Sequence, residues 1–295
     1  MEKTLTITSG ELVMMVLDTI EALRQQLAIH RSAHERIGIV PTMGYLHDGH
    51  LSLVYQARQE CDVVVLSIFV NPRQFGPQED LDRYPRDRMR DICLSRKAGV
   101  DIVFIPTVDE MYPTGFQSEV RVDGLTEKLC GESRPGHFNG VTTIVAKLFN
   151  IVGPERAYFG SKDYQQAIIV KKMVEDLNMP ITIVSCPIIR EKDGLAMSSR
   201  NSFLSSEERQ TALVLSRSLQ LAATCVAEGE RDGKRLQSTV SAYISAYSNT
   251  HIDYVAVCDP DSLQAVETLS GDILVALAVR VGKTRLIDNT LVTVT

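Results

Sequence analysis

One apolar run constrains the fold more than any other part of the sequence. Asp62–Val70 (DVVVLSIFV) is almost entirely β-branched and apolar, with no alternation of polar and apolar residues. A run of this kind is typical of a strand that is covered on both faces, as in a parallel sheet. Further apolar runs predict strands at Ile37–Val40, Asp101–Ile105, Arg156–Phe159 and Ile181–Cys186.

Segments with apolar residues at helical spacing separate these runs. The predicted helices are Glu11–Ile29, a helix that begins near Gly49, Asp87–Ala98, Val141–Ile151 and Tyr164–Leu177, and a short extra strand is expected at Glu119–Val122. Strands that alternate with helices over this length predict an α/β fold, a Rossmann-like doubly wound parallel sheet.

The pattern changes around Pro187. Two helices are predicted next, followed by three strands: Ser206–Ala227, Arg231–Ala246, Ile252–Cys258, Ile273–Val281 and Thr284–Val294. Helices followed by strands indicate a small α+β domain. We therefore expect two domains, residues 1–188 and residues 189–295, the second of which acts as a lid.

Two nucleotide-binding motifs are absent or incomplete. Val281–Thr284 (VGKT) resembles the end of a Walker loop, but Leu277 stands where that motif needs its first glycine. Strand-like runs on both sides of it predict a hairpin turn instead. No G-x-G-x-x-G, the usual dinucleotide fingerprint, occurs in the sequence.

Composition narrows the class of protein. The net charge is −6 and the pI is about 5.6, which argues against a general nucleic-acid or anionic-membrane surface. The six cysteines are scattered without a C-x-x-C pair, which predicts reduced, mostly buried thiols in the cytoplasm. Met1–Gly10 lacks a signal-peptide pattern, and no apolar run is long enough to span a membrane.

The segment Pro41–His50 (PTMGYLHDGH) carries the main functional signal. A strand precedes it and a helix follows it, so unpaired N–H groups and the positive end of the helix dipole point at the loop. Gly44 and Gly49 allow a close approach of the backbone, and His47 and His50 add two imidazole donors. The loop therefore predicts a phosphate site.

Other interpretations of His47 and His50 exist. They could be an ordinary surface pair beside a turn, or a metal pair, although no third ligand occurs at a useful spacing. The strand before and the helix after favour the phosphate site. The segment also resembles the HIGH signature (His-x-Gly-His) of the class I nucleotidylyl-transferase superfamily.

Further loops at the expected carboxyl ends of the strands carry polar side chains that suit adenylyl transfer. They are Asn71 and Gln74, Lys162 with Asp163 and Gln166, and Ser198–Arg200. In this reaction a carboxylate attacks the α-phosphate of ATP, and catalysis depends on positioning and on stabilising the charge that develops. No G-x-S-x-G elbow or other activated nucleophile is present.

The sequence from about residue 37 onward resembles the pantothenate synthetase (pantoate–β-alanine ligase) family. The segments that carry the resemblance are PTMGYLHDGH, FVNPRQFGPQEDLDRYPR, RPGHFNGV, AYFGSKDYQQ and REKDGLAMSSRN, in that order. The resemblance implies a two-step reaction: pantoate and Mg-ATP give pantoyl adenylate and pyrophosphate, and β-alanine then displaces AMP. It also implies a homodimer, and the composition predicts no nucleic-acid or membrane partner.

The same resemblance implies roles for individual residues. Those expected to bind ATP are Met43, His47, His50, Gly160, Lys162, Asp163, Met197, Ser198, Ser199 and Arg200. His47, His50, Lys162, Ser198 and Arg200 are expected to be catalytic. Gln74 and Gln166, with the Met43 backbone nearby, are expected to bind pantoate, and Asp91 matches a magnesium-associated carboxylate, although Arg90 replaces an acidic neighbour.

Three competing functions remain open from the residues. Another adenylyltransferase of the superfamily would share the histidines and the serine-rich loop but not the two glutamines. A nucleotide-binding regulator would bind ATP without releasing pyrophosphate. A metallohydrolase built on His47, His50 and an acidic residue would lose its activity when zinc is removed.

Overall fold

The computed structural model describes residues 14–77 and 79–294. Its strands are β1 Met15–Leu17, β2 Ile37–Thr42, β3 Val63–Ile68, β4 Ile102–Phe104, β5 Arg156–Gly160, β6 Thr182–Cys186, β7 Thr250–Cys258, β8 Gly271–Val281 and β9 Thr284–Val294. Its α-helices are α1 Ile20–Ser32, α2 Asp48–Glu60, α3 Arg88–Ala98, α4 Val108–Met111, α5 Cys130–Ser133, α6 His137–Val152, α7 Tyr164–Asp176, α8 Ser206–Thr211, α9 Leu213–Ala227 and α10 Gly233–Ser245. Short 3₁₀-helices lie at Pro72–Gln74, Leu125–Glu127, Ser161–Asp163 and Ser199–Phe203.

The chain divides into two compact units. The first unit comprises Met1–Val122, Pro135–Ser161 and Gln166–Pro187, and the second comprises Asp123–Arg134, Lys162–Gln165 and Ile188–Thr295. The second unit therefore contains two short segments that precede residue 188 in the sequence.

A parallel sheet organises the first unit. Its strand order is β1-β4-β3-β2-β5-β6, and every neighbouring pair is parallel. Every residue of β3 is buried, as expected for a strand covered on both faces. One face of the sheet packs against α2 and α3, and α6 contacts β2 and α1. The predicted doubly wound parallel sheet is confirmed.

Two sequence predictions for this unit are wrong. The helix predicted over Glu11–Ile29 starts outside the described residues, and within them Met15–Leu17 is an edge strand paired with β4. Helix α1 begins only at Ile20, because the Thr19 hydroxyl caps it by accepting a hydrogen bond from the Ala22 N–H at 3.2 Å. The segment Glu119–Val122 is not a strand; its Val120 backbone bonds to threonine side chains of α6 instead.

Other boundaries agree closely with the sequence. Helix α3 begins after Asp87, whose carboxylate caps it, and ends at Gly99 in the left-handed conformation. Helix α6 begins at His137, four residues before the predicted start at Val141. The prediction began too late because the first turn shows no apolar periodicity.

An antiparallel sheet organises the second unit. Strands β7, β8 and β9 pair in sequence order, and residues 282–283 form the two-residue hairpin between β8 and β9. Helices α9 and α10 bury their apolar faces against this sheet in a core that includes Leu219, Leu236 and Leu277. The predicted α+β arrangement and the hairpin at Val281–Thr284 are confirmed.

All six cysteines are free, and four of them are buried. Among the described residues, no helix has both the length and the apolar character needed to cross a membrane.

Gly140 allows helix α6 to lie directly against the loop after β3. A Cβ atom added at Gly140 would lie 2.3 Å from the Arg73 carbonyl oxygen and 2.6 Å from the Gln74 nitrogen. Both atoms belong to the backbone, so a side-chain rotation cannot relieve the contact. Any larger residue must move the 3₁₀-helix Pro72–Gln74 away from α6.

We expect Gly140→Ala to lower the midpoint of thermal unfolding, because overpacking a close contact typically costs about 1–3 kcal/mol. Gly76→Ala is the matched control, since a Cβ atom there would lie 3.7 Å from Glu79, an ordinary contact distance. Equal midpoints for the two variants would contradict the close approach of α6.

Candidate active site

The order of strands in the parallel sheet reverses direction at β2. The chain runs from β2 outward to β3 and β4, then crosses back to β5 on the other side of β2. The pairing of β2 with β5 involves only Gly38↔Arg156 and Ile39↔Ala157, and both strands continue for three more residues. In open α/β sheets, ligands bind at this reversal, outside the carboxyl ends of the strands.

The loop that follows β2 is held by a buried carboxylate. Asp91 of α3 is 1% exposed, and its two oxygens accept hydrogen bonds from the Tyr45 N–H at 2.7 Å and the Leu46 N–H at 2.8 Å. Gly44 and Tyr45 both have positive φ, +82° and +50°, which turns these N–H groups inward. Arg90 adds a hydrogen bond from its guanidinium to the Leu46 carbonyl at 2.8 Å.

Gly44 has no room for a side chain in this loop. A Cβ atom there would lie 2.9 Å from Asp91 Oδ2.

Burial raises the pKa of the Asp91 carboxyl, and the hydrogen bonds from the Leu46 and Tyr45 N–H groups act in the opposite direction.

His47 and His50 lie at the start of α2, directly after this loop. His47 is the N-cap residue, and its N–H donates to His50 Nδ1 at 3.3 Å. Because Nδ1 accepts this hydrogen bond, the neutral His50 ring carries its proton on Nε2 and is a donor there. The two ring centroids lie 4.0 Å apart, with the ring planes tilted by 34°. The arrangement combines imidazole donors with the positive end of a helix dipole, which suits an anion such as phosphate.

Gln74 and Met43 contact each other at the carboxyl ends of β2 and β3. Gln74 is 9% exposed, and its Nε2 donates to Met43 Sδ at 3.2 Å. Asn71 Nδ2 donates to Gln74 Oε1 at 3.1 Å, and His137 Nδ1 lies 2.8 Å from the Gln74 carbonyl oxygen. The structure thus brings the predicted residues Met43 and Gln74 together in one hydrogen-bonded group.

Gly160 and Gln166 lie farther along the same unit. Gly160 is the last residue of β5, where a Cβ atom would meet nothing within 4 Å. Gln166 lies in the first turn of α7 and is half-buried, and its side chain has no hydrogen-bond partner among the described residues.

The remaining predicted residues belong to the second unit. Lys162 is largely buried, with 19% of its side chain exposed, and its Nζ lies 4.0 Å from Asp163 Oδ2. The Lys162 carbonyl accepts a hydrogen bond from Asn289 Nδ2 of β9 at 2.9 Å. Strand β9 therefore fixes the backbone that carries Lys162 and Asp163.

The same strand anchors the segment that leads to Met197 and Arg200. Asp288 is 2% exposed and accepts two hydrogen bonds from Arg190, at 2.6 and 2.9 Å. A backbone hydrogen bond from the Met197 N–H to the Ile189 carbonyl, at 2.9 Å, closes the hairpin-like turn. The two parallel hydrogen bonds between Arg190 and Asp288 fix the orientation of both side chains as well as pairing their charges.

A serine-capped turn follows. Ser198 caps the 3₁₀-helix Ser199–Phe203, and its Oγ accepts a hydrogen bond from the Arg200 N–H at 3.3 Å. Asn201 ties this turn back to the preceding segment by donating to Glu191 Oε1 at 2.9 Å.

The magnesium role expected for Asp91 stays a prediction, and the structure shows other partners for this carboxylate. Both of its oxygens accept backbone N–H groups, and Arg90 Nη1 lies 3.9 Å from Oδ1. Within residues 14–77 and 79–294, no group of three or more His, Cys, Asp or Glu residues is arranged to hold a metal ion. In the structure, Asp91 of α3 holds the loop after β2 through these hydrogen bonds.

A sequence model of the Pantoate-beta-alanine ligase family matches residues 15–291. The chain belongs to the pantoate–β-alanine ligase family. The pantothenate synthetase of Acetivibrio thermocellus is 57% identical to this chain, over 95% of this chain and 100% of that protein. The pantothenate synthetase of Moorella thermoacetica is also 57% identical, over 94% of this chain and 98% of that protein.

Solved structures of the family agree with this assignment. The pantothenate synthetase of Thermus thermophilus superposes with a TM-score of 0.89 at 46% identity, covering 93% of this chain and 98% of that one. The pantoate–β-alanine ligase of Francisella tularensis was solved as a complex with a form of ATP and β-alanine. It gives a TM-score of 0.76 at 33% identity, covering 95% of this chain and 98% of that one.

Some contacts made by or near the candidate residues have no signal in the sequence. The loop role of Asp91, the hydrogen bond from Asn289 and the role of Gln165 were all missed. Gln165 is 7% exposed and bonds to the Cys130 N–H and to the Leu125 and Lys128 carbonyls, which fastens the segment Asp123–Arg134 within the second unit. Each of these contacts joins residues that are far apart in the sequence.

We expect Asp91→Asn to loosen the loop after β2, because an amide offers one acceptor where two N–H groups need one each. A buried group without its partner costs about 1–3 kcal/mol. Hydrogen exchange of peptides that cover residues 43–50 should become faster.

Asp176→Asn is the control, since Asp176 is exposed and pairs with Lys172, a kind of surface pair that contributes little. Unchanged exchange at residues 43–50 in Asp91→Asn would contradict the loop role of Asp91.

Proposed function

We propose that the protein condenses pantoate with β-alanine to form pantothenate, at the cost of ATP, through a pantoyl-adenylate intermediate. Membership of the pantoate–β-alanine ligase family supports this activity. The structural observation that supports it most is the start of α2, where two neighbouring imidazoles lie at a helix N-terminus beside the reversal of the strand order.

In the first step, a carboxylate oxygen of pantoate attacks the α-phosphorus of ATP. The bond from that phosphorus to the bridging oxygen breaks, and pyrophosphate leaves with the electron pair. Negative charge increases on the phosphate oxygens, so positioned donors lower the barrier. We assign His50 Nε2 and His47 to these oxygens, because they lie at the positive end of α2.

Residues of the second unit are assigned to the other phosphates and to the nucleoside. Lys162, Ser198, Ser199 and Arg200 are proposed to bind the β- and γ-phosphates, with the Met197 backbone beside them. Asp163 is proposed to bind the ribose hydroxyls, and Gly160 to lie by the nucleotide. The hydrogen bonds of β9 to the Lys162 carbonyl and to Arg190 support a fixed backbone for both phosphate-binding segments.

In the second step, the amine of β-alanine attacks the acyl carbon of pantoyl adenylate. The bond to the AMP oxygen breaks, AMP leaves, and the nitrogen loses a proton to give the amide. No residue of the protein forms a covalent bond with the substrate in either step. Catalysis by positioning is consistent with a site that lacks an activated nucleophile.

Pantoate is assigned to Gln74, Gln166 and Met43. The side-chain amides of the two glutamines suit a substrate that has a carboxylate and hydroxyl groups, and they do not neutralise the attacking carboxylate. Magnesium is proposed to arrive as Mg-ATP, bound by the phosphates of the substrate. A homodimer that acts in the cytoplasm, where ATP is available, completes the proposal.

Omission of one substrate at a time tests the proposed function. Pyrophosphate should form only with ATP and pantoate together, and AMP should be released in quantity only when β-alanine is added. Pyrophosphate that forms without pantoate would indicate another adenylyltransferase. ATP binding without pyrophosphate would indicate a regulator, and loss of activity after zinc removal would indicate a metallohydrolase.

In the same assay, His50→Ala should lower the rate of pyrophosphate release about a hundred- to a thousandfold, as for other single donors to a developing oxyanion. His251→Ala, an exposed histidine of β7, is the matched control. A folded His50→Ala variant with near wild-type rate would remove His50 from the phosphate site.

Arg200→Ala should slow pyrophosphate release strongly but have a much smaller effect on the attack of β-alanine on preformed pantoyl adenylate. The physical reason is that the β- and γ-phosphates have left before the second step. Single-turnover measurements separate the two steps, with Arg88→Ala, an exposed arginine of α3, as the control.

An equal defect of Arg200→Ala in both steps would count against the phosphate role. It would also count against the lid role predicted for residues 189–295, in which Arg200 closes over the triphosphate.

A further inference from the structure

We infer that Tyr112 is a positioning residue that holds the Gln74 amide as a hydrogen-bond donor toward pantoate. The inference rests on the proposed function, since it concerns how that substrate is bound. It goes further in two ways. It assigns a role to a residue outside the predicted site, and it states that Gln74 donates a hydrogen bond to pantoate rather than accepting one.

The orientation of the Asn71 amide follows from its backbone partners. Asn71 is 1% exposed, and its Nδ2 lies 3.0 Å from the Gly140 carbonyl oxygen, a group that can only accept. Its Oδ1 lies 3.3 Å from the Arg73 N–H, a group that can only donate. Exchanging the oxygen and nitrogen of the amide would break both hydrogen bonds, so both favour the orientation in the structure.

The orientation of Gln74 follows from that of Asn71. Asn71 Nδ2 also points at the Gln74 amide at 3.1 Å, and because Nδ2 can only donate, Gln74 must turn its Oε1 toward it. Gln74 Nε2 then faces Met43 Sδ at 3.2 Å. A thioether sulfur is a weak acceptor, so a carboxylate or hydroxyl oxygen of pantoate is a better partner for Nε2.

Tyr112 completes this chain from the other side. Its hydroxyl lies 2.9 Å from Asn71 Oδ1 and must donate to it, since Oδ1 only accepts. Burial raises the pKa of the Tyr112 hydroxyl to about 12, and the nearby Arg73 guanidinium acts in the opposite direction. The hydroxyl therefore keeps its proton and remains a donor at neutral pH.

The ring of Tyr112 is held independently of its hydroxyl. The Arg73 guanidinium carbon lies 5.4 Å from the ring centroid, and the Phe116 ring packs edge-on at 5.1 Å. Lys147 Nζ lies 5.8 Å from the same centroid. Tyr112→Phe removes only the hydroxyl and keeps these ring contacts, which makes it a suitable test.

We expect Tyr112→Phe to raise the KM for pantoate about three- to tenfold, the usual effect of losing one neutral hydrogen bond. The KM for ATP and the midpoint of thermal unfolding should stay close to the wild-type values. Tyr55→Phe, on a half-exposed tyrosine of α2, is the matched control. An unchanged KM for pantoate, or equal increases for both substrates, would overturn the inference.

A double-mutant cycle tests whether Tyr112 acts through Gln74. In a Gln74→Ala background, Tyr112→Phe should no longer change the KM for pantoate, because the amide that it orients is gone. A full additional increase in that background would overturn the inference.

Gln74→Glu tests the polarity of Gln74 directly. It replaces the donor with a carboxylate oxygen and should weaken pantoate binding more than Gln74→Ala does. Equal or tighter binding by Gln74→Glu would overturn the assignment of Gln74 as a donor. Wild-type turnover in the same assay separates these outcomes from a failure of the proposed function, in which no pantoate-dependent product would form.

Discussion

The buried carboxylate of Asp91 is the constraint on which the arrangement of the first unit depends. Removing a carboxylate from water is costly unless hydrogen bonds compensate both oxygens. Here the compensation comes from two consecutive N–H groups, in a turn where Gly44 and Tyr45 both have positive φ. The direction of the chain after this turn fixes where α2 starts, and with it the positions of His47 and His50.

Much of the fold was predictable because burial leaves a direct pattern in the sequence. The central strands are covered on both faces, so Asp62–Val70 shows no alternation of polar and apolar residues, and Gly99 marks the end of α3 by its left-handed conformation. The edge strand Met15–Leu17 was missed since its residues also fit a helical spacing, and the pairing with β4 that makes it a strand is a tertiary contact.

The candidate site was predictable where its residues are neighbours in the sequence. His47 and His50 share a local motif, and the strand before it and the helix after it led to the prediction of a phosphate site. The supporting contacts are different in kind: Tyr45 bonds to a residue 46 positions away, Tyr112 to one 41 positions away, and Asn289 to one 127 positions away. No periodicity or short motif indicates such pairs. These hydrogen bonds could therefore be found only in the structure.

The division of the chain into two units has a consequence for synthesis on the ribosome. The segments Asp123–Arg134 and Lys162–Gln165 fold with residues that come much later, since Cys130 contacts Tyr254, and the Lys162 carbonyl contacts Asn289. At about 5–20 residues per second, the 127 residues between Lys162 and Asn289 take roughly 6–25 s to translate. During that interval the nascent protein carries a sheet whose β5–α7 connection still lacks its partner strand β9.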